Sequence, residues 1–399
     1  SNFYAGIYIS SSSSNTLQNI TVKENQRYDI YFYASSPSHC NNILQNVTGS
    51  GDRPIEYYNY SVNLENKTFS ELILCNASNS NITNITIKGS DTYKNNALFV
   101  YYTNNSNFKD INSSYNNDGI YLYSSSSNTL QEITANSNSD DGIYLRSSSS
   151  NTLQNITANS NDYGIILDSS SSNTLQNITA NSNSFYGISL SSSSSNTLQK
   201  ITVTSNSEYG IRLYSSSSNT LQKIIANSND YGIILDSSSS NTLQKITANS
   251  NDYGIYLRSS SSNTLQKITA NSNDYGIYLL YSDSNTIANS TIQSNSQYGI
   301  YIDSYQSNKI YNNLFNNSVN FYISGTGTNY WNTSKTSGTN IIGGPYLGGN
   351  YWTNSTGNGY SDICNDTDRD GICDSPYSLA SNNIDYLPLS DEYILSFVE

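Results

Sequence analysis

The chain has no methionine, one histidine, four cysteines and five prolines among its 399 residues, and only 12% of it is charged. Each scarcity excludes something. A soft-metal centre needs thioether, imidazole or thiolate donors grouped together, whereas the lone His39 sits beside Cys40 with no evident base or metal partner. No apolar run is long enough to span a bilayer, and Tyr393 to Val398 is far too short. The net charge of −13 and a pI near 4.4 argue against nucleic acid as a partner. With Ser1 in first place, the sequence reads as a processed mature chain or an excised fragment.

The four cysteines are Cys40, Cys75, Cys364 and Cys373, and none lies in a C-x-x-C pair. An even count on an extracellular-looking chain suggests two disulfides. Three connectivities are open in principle, and proximity favours Cys40–Cys75 with Cys364–Cys373.

What is abundant is Ser, Asn, Thr, Gly and an unusual 37 Tyr, with hydrophobic residues at only 35%. An ordinary globular domain of this length needs a thicker apolar core. Disorder does not explain apolar residues that recur at fixed positions. Gly-Ile-x-Leu recurs at Gly119, Gly142, Gly164, Gly187, Gly210, Gly232, Gly254 and Gly276, in steps of 22 or 23 residues, and Gly299 continues the series. Asn-Thr-Leu follows in phase from Asn128 to Asn263. In one coil Ile143 and Leu145 alternate with outward residues, Ser147 to Ser150 turn, and Leu153, Ile156 and Ala158 supply a second apolar side. A polar corner from Asn159 to Asp162 follows. The fold class this predicts is all-β: a right-handed parallel β-helix of 22–23-residue coils. Coils stack about 4.8 Å apart, and the Asn ending each Ser run forms a ladder.

Every repeat position then becomes a column. Tyr precedes Gly at 163, 186, 209, 231, 253, 275 and 298. That column either stabilises the stack or forms an assembly or glycan contact surface. Arg146 falls beside Asp168, and Asp236 beside Arg258, as register-fixing pairs. Lys200, Lys223, Lys245 and Lys267 share a column with Asn155 and Asn177, which open N-x-Thr sequons. That position must face solvent. Sequons also begin at Asn19, Asn46, Asn59, Asn66, Asn76, Asn81, Asn84, Asn104, Asn112, Asn289, Asn316, Asn332, Asn354 and Asn365, and N-glycosylation is the expectation.

The repeat breaks at about 41–76, which reads as an excursion bulging from the solenoid and tied by a bridge across its base. The organisation expected is a β-helix over 1–323 carrying that excursion, then a cap over 324–399. Within the cap, Asp366, Asp368 and Asp370, a Gly for the turn, Ile372 and Asp374 have the spacing of an oxygen-ligated Ca²⁺ loop. At the other end Phe3, Ile7 and Ile9 read as an uncovered coil edge. The strand Tyr393, Ile394, Leu395, Phe397 and Val398 of a neighbouring subunit could pair with it.

Gly-Ile-Tyr-Leu-x-Ser-Ser-Ser-Ser-Asn-Thr-Leu resembles the right-handed β-helix repeat of the periplasmic copper-protein maturation family, the NosD type. That family shares its repeat with carbohydrate-binding and sugar-hydrolase modules. Gly-Gly-Asn350-Tyr-Trp, the Asp366–Asp374 loop with Pro376 and Tyr377, and Asp385-Tyr-Leu-Pro388-Leu389 are similar to the ends of archaeal, particularly methanogen, surface proteins. The resemblance implies the fold and an exported, archaeal cell-surface origin.

Asp168, Asp236 and Asp303 share a column but lie in non-adjacent coils, and no coil outside 41–76 sacrifices the repeat for chemistry. On that basis the expectation is a protein with no catalytic residue, not an enzyme. It would be an extracellular structural subunit polymerising with itself into a filament, sheath or surface layer. A glycan-binding adhesin is the alternative, and a polysaccharide-degrading β-helix comes behind it. Copper delivery is disfavoured for want of Met and of clustered His or Cys. The regular Thr152, Thr174 and Thr197 column gives only thin support to an ice-binding solenoid.

Overall fold

The computed structural model describes residues 2–303, 307–324 and 327–392. The chain is an all-β, right-handed parallel β-solenoid with coils of about 22 residues. It divides into two compact units, residues 1–207 and 208–399.

In the first unit, from Ile120 to Thr202, the Gly-Ile-x-Leu strands form one parallel sheet and the Thr-Leu-Gln-x-Ile-Thr strands another, while Thr16–Thr21 joins the first sheet at its edge. Asp141–Arg146 pairs with Tyr163–Asp168, and Thr152–Thr157 with Thr174–Thr179, with equivalent residues in register. Leu145, Leu153, Ile156 and Ala158 are buried between the sheets. Gly142 is required by close approach: a Cβ there would lie 2.5 Å from the Gly164 carbonyl oxygen. Asn155 sits in mid-strand with φ 56°. This left-handed residue bends the strand, and Asn tolerates it better than most. Asn177 Nδ2 donates to Asn155 Oδ1 at 2.7 Å on that solvent-facing corner. Arg146 and Asp168 lie 3.7 Å apart.

The Asn ladder is a chain of backbone-to-side-chain bonds. The N–H of Asn128 donates to Asn151 Oδ1 at 2.8 Å, and that of Asn151 to Asn173 Oδ1 at 2.7 Å. The corner expected to be merely polar holds a second ladder. Asn138 N–H donates to Asn161 Oδ1 and Asn161 N–H to Asn183 Oδ1, with Asn161 buried.

The segment 41–76 does not bulge. Ile43–Thr48, Pro54–Tyr58 and Glu71–Cys75 join one sheet, and Asn63–Phe69 joins the other. The chain reverses where Val47 pairs antiparallel with Ile55. Because of this reversal, the sheet edge at Ala5–Ser10 and Tyr28–Tyr33 differs from the sequence expectation. These two strands form a ribbon that packs on outward positions of the solenoid. Phe32 and Ile30 are wholly buried in a cluster with Ile73, Phe99 and Tyr101. Ile9 belongs to this core and Ile7 packs against it, while Phe3 is 78% exposed; among the described residues Ala5–Ser10 pairs with Tyr28–Tyr33 alone. The assembly residues Tyr393, Ile394, Leu395, Phe397 and Val398 lie outside the described residues.

In the second unit the same pairing recurs, for example Tyr231–Asp236 with Tyr253–Arg258. Asp236 and Arg258 lie 3.8 Å apart. The Asn ladder runs from Asn219 through Asn285 to Asn308 and Asn329. Trp352 closes the interior by stacking on Phe315 at 4.6 Å. Both expected disulfides, Cys40–Cys75 and Cys364–Cys373, are present.

Candidate functional site

The ribbon leaves a groove of 450 Å³ between itself and the outer face of the first unit's sheet. Its walls are aromatic: Tyr4, Tyr8 and Tyr31 from the ribbon side, Tyr121 and Tyr144 from the solenoid. Tyr121 and Tyr144 occupy the outward position of Gly-Ile-x-Leu in consecutive coils, in register with Phe99. Burial holds the Tyr31, Tyr121 and Tyr144 phenols above their ordinary range. They are neutral donors with apolar bodies, suited to the face and hydroxyls of a sugar ring.

Three carboxyl groups, Asp118, Asp140 and Asp141, line this groove. Asp118 and Asp141 stand directly before Gly119 and Gly142, where the later coils carry Tyr. Asp118 is buried and its Oδ2 accepts the Tyr28 hydroxyl at 2.6 Å and Asn117 Nδ2 at 3.1 Å. Burial raises its pKa, against the pull of the Tyr28 and Asn117 bonds. Arg27 reaches across from the ribbon, donating to Asn117 Oδ1 at 3.1 Å and Asp140 Oδ2 at 3.2 Å. Burial raises the Asp140 pKa and Arg27 opposes it. Asp141 has no such relief. Burial pushes its pKa well up, and the Asp118, Asp140 and Asp162 charges push it further. Among the described residues no hydrogen bond reaches its carboxyl. Environment therefore separates adjacent carboxyls: Arg27 favours the ionised form of Asp140, whereas burial and the neighbouring acids all favour the neutral form of Asp141.

Glu71 lies beneath the ribbon, wholly buried, with Oε1 unpaired and Oε2 accepting the Ile30 N–H at 3.4 Å. Burial, then the Asp29 charge, hold its pKa well above the ordinary glutamate value. A raised folded-state pKa means that ionisation opposes folding, so stability falls as pH climbs from the unfolded toward the folded value. Glu71→Gln is expected to be more stable than the parent at pH 8, by at least about 1 kcal/mol. At pH 4 that gain should vanish. Urea unfolding at the two pH values checks this.

In the cap, ligand oxygens of Asp366, Asp368 and Asp374 lie within 4.8 Å of one another. Asp366 Oδ1 and Oδ2 accept the N–H groups of Asp370 and Gly371 at 3.0 and 2.8 Å. The Thr367 hydroxyl donates to Asp374 Oδ2 at 2.6 Å. Asp370 is not in this trio: it is ion-paired with Lys335. Ile372 N–H donates to Asp370 Oδ1.

His39 is held by Ser35, whose Oγ lies 3.2 Å from its Nδ1. Among the described residues no helix is long and apolar enough to cross a membrane.

The family model described as periplasmic copper-binding protein (NosD) matches residues 78–244 and 201–357. The residues here do not fit copper. All four cysteines are oxidised in disulfides, the one histidine stands apart, and methionine is absent. A family described as periplasmic and two disulfides fit a secreted protein. No curated protein sequence matches the chain.

Among solved structures, it is similar to the A-module of the Azotobacter vinelandii mannuronan C-5 epimerase AlgE6. The TM-score is 0.54 and identity 15%, over 80% of this chain and 89% of that one. The AlgE4 A-module from the same organism gives 0.53 and 13%, over 80% and 90%. At such identity the likeness shows the fold.

The expectation of a non-catalytic chain is corrected by these findings. Its neighbours are β-helix enzymes, and two adjacent coils do depart from the repeat to place Asp118 and Asp141 in a groove. The Asp168 column lies apart from these carboxyls, and Arg27 and Tyr28 arrive from a ribbon that no local pattern places. The departure itself, Asp for Tyr before Gly119 and Gly142, was visible. The two family matches together run from residue 78 to residue 357, and the chain belongs to the NosD family.

Proposed function

We propose that the groove binds an extracellular polysaccharide and cleaves it by acid–base hydrolysis. The observation that carries this is Asp141, buried and unpaired beside the Arg27-paired Asp140, under tyrosine walls. Asp141 gives its proton to the glycosidic oxygen as the bond to the anomeric carbon breaks. Asp140 takes a proton from the water whose oxygen bonds to that carbon. Tyr28 and Asn117 fix the orientation of the Asp118 carboxyl beside the reacting ring.

Incubation with neutral, uronic-acid and amino-sugar polysaccharides, assayed for new reducing ends, tests the proposal. Shortened chains from one class support it. No product from any class overturns it.

The Asp366, Asp368 and Asp374 trio favours calcium in the cap. The expected result is a rise in melting temperature on adding millimolar Ca²⁺, reversed by chelator and absent in Asp368→Asn. An unchanged melting temperature would count against the site. Export to an archaeal cell surface, glycosylation at the exposed sequons and self-association belong to this same proposal. The exposed Phe3 and Tyr8 favour self-association. Light scattering of Phe3→Ser against the parent is its test.

A further inference from the structure

The second unit carries a hollow of a different kind. Tyr330 and Tyr386, 57% and 61% exposed, flank a cavity of 380 Å³ that Asn332, Asn382 and Ile384 also line. No charged side chain lines it. We infer that this hollow is a binding site for one neutral sugar residue, with the tyrosine rings as platforms and the Asn382 amide as the reader of its hydroxyls.

Four observations carry the inference. Neither tyrosine has a ring packed against it among the described residues, and both are more than half exposed, unlike the tyrosines that stack along the solenoid. Their backbones are nevertheless fixed. Tyr330 N–H donates to Asn308 O at 2.8 Å, and Tyr386 N–H to Asn332 Oδ1 at 3.5 Å. Asn382 is exposed in a left-handed turn at φ 60°, with no hydrogen bond to its amide among the described residues. An amide offers a donor and an acceptor side by side, which matches vicinal hydroxyls. The uncharged lining supplies nothing to offset a carboxylate or an ammonium group, which selects a neutral ring. Asn332 opens a sequon, and a glycan on it would fill the same hollow. The inference therefore requires Asn332 to be unmodified.

The site is independent of the groove and its chemistry. Hydrogen exchange of the whole chain, with and without neutral gluco-, manno- and galacto-oligosaccharides, locates it. Protection is expected over 327–332 and 382–386. Affinity by calorimetry should fall at least tenfold in Tyr386→Ala and in Asn382→Ala, stay near parental in Tyr386→Phe, and be insensitive to salt. Asp141→Asn should leave that protection unchanged. The inference is overturned if no neutral oligosaccharide protects these segments, if both alanine variants bind like the parent, or if only charged sugars bind.

Discussion

Asp141→Asn should abolish polysaccharide cleavage, lowering the rate at least about 100-fold, while leaving the protein folded. The rate loss follows because an amide has no proton to give at the leaving oxygen. The fold survives because no hydrogen bond depends on the Asp141 carboxyl among the described residues, and the substitution removes an ionisable group from a buried position. The pH profile separates this role from mere contact. Cleavage needs Asp140 ionised and Asp141 protonated. Both carboxyls are raised by burial, Asp141 further still by its acidic neighbours. Activity should therefore rise as Asp140 loses its proton and fall again as Asp141 loses its own, at a higher pH. Asp140→Asn should lose the acid limb with the rate. A variant at Asp141 that keeps parental turnover would remove the general acid from the account.

The second large effect concerns the solenoid itself. Asn151→Ala is expected to cost about 2–6 kcal/mol, from about 1–3 kcal/mol for each of two groups left stranded. Asn151 Oδ1 accepts the Asn128 N–H at 2.8 Å, and its Nδ2 donates to the Ser125 carbonyl at 3.1 Å. Both partners are buried, so water cannot replace the lost bonds. Arg146→Ala is the contrast. Its pair with Asp168 is 3.7 Å long, with Arg146 half exposed and Asp168 one-third exposed, so it should cost under about 1 kcal/mol. Urea unfolding of both variants compares them. Equal small losses would mean that the ladders decorate the coil and do not hold it.

The solenoid was legible because its information is periodic. Leu153, Ile156 and the Asn128–Asn151–Asn173 ladder announce themselves by recurring in phase, and one coil's geometry determines its neighbours'. Arg146 beside Asp168 followed from the same register. The ribbon was not legible. Its docking depends on Phe32 meeting Tyr101, 5.5 Å away between ring centres, a contact between segments with no shared pattern. The one trace was an outward column that runs apolar and aromatic, with Ile73 and Phe99 in line with Tyr121 and Tyr144. The candidate site inherits this split. Asp118 and Asp141 could have been found as breaks in the tyrosine column. Arg27, which pairs with Asp140 across 113 residues of sequence, could not. The cap repeats the lesson: the spacing of Asp366, Asp368 and Asp374 is local, but Lys335 drawing Asp370 aside is not.

The protonation state of Asp141 can be read directly from the carboxyl ¹³C shift of the whole chain, assigned with Asp141→Asn and followed from pH 3 to pH 9. The account predicts a carboxyl that titrates well above the ordinary aspartate range, with the Asp140 signal changing at lower pH. An Asp141 carboxyl that ionises with the surface aspartates would contradict it, since the groove would then hold no acid to give.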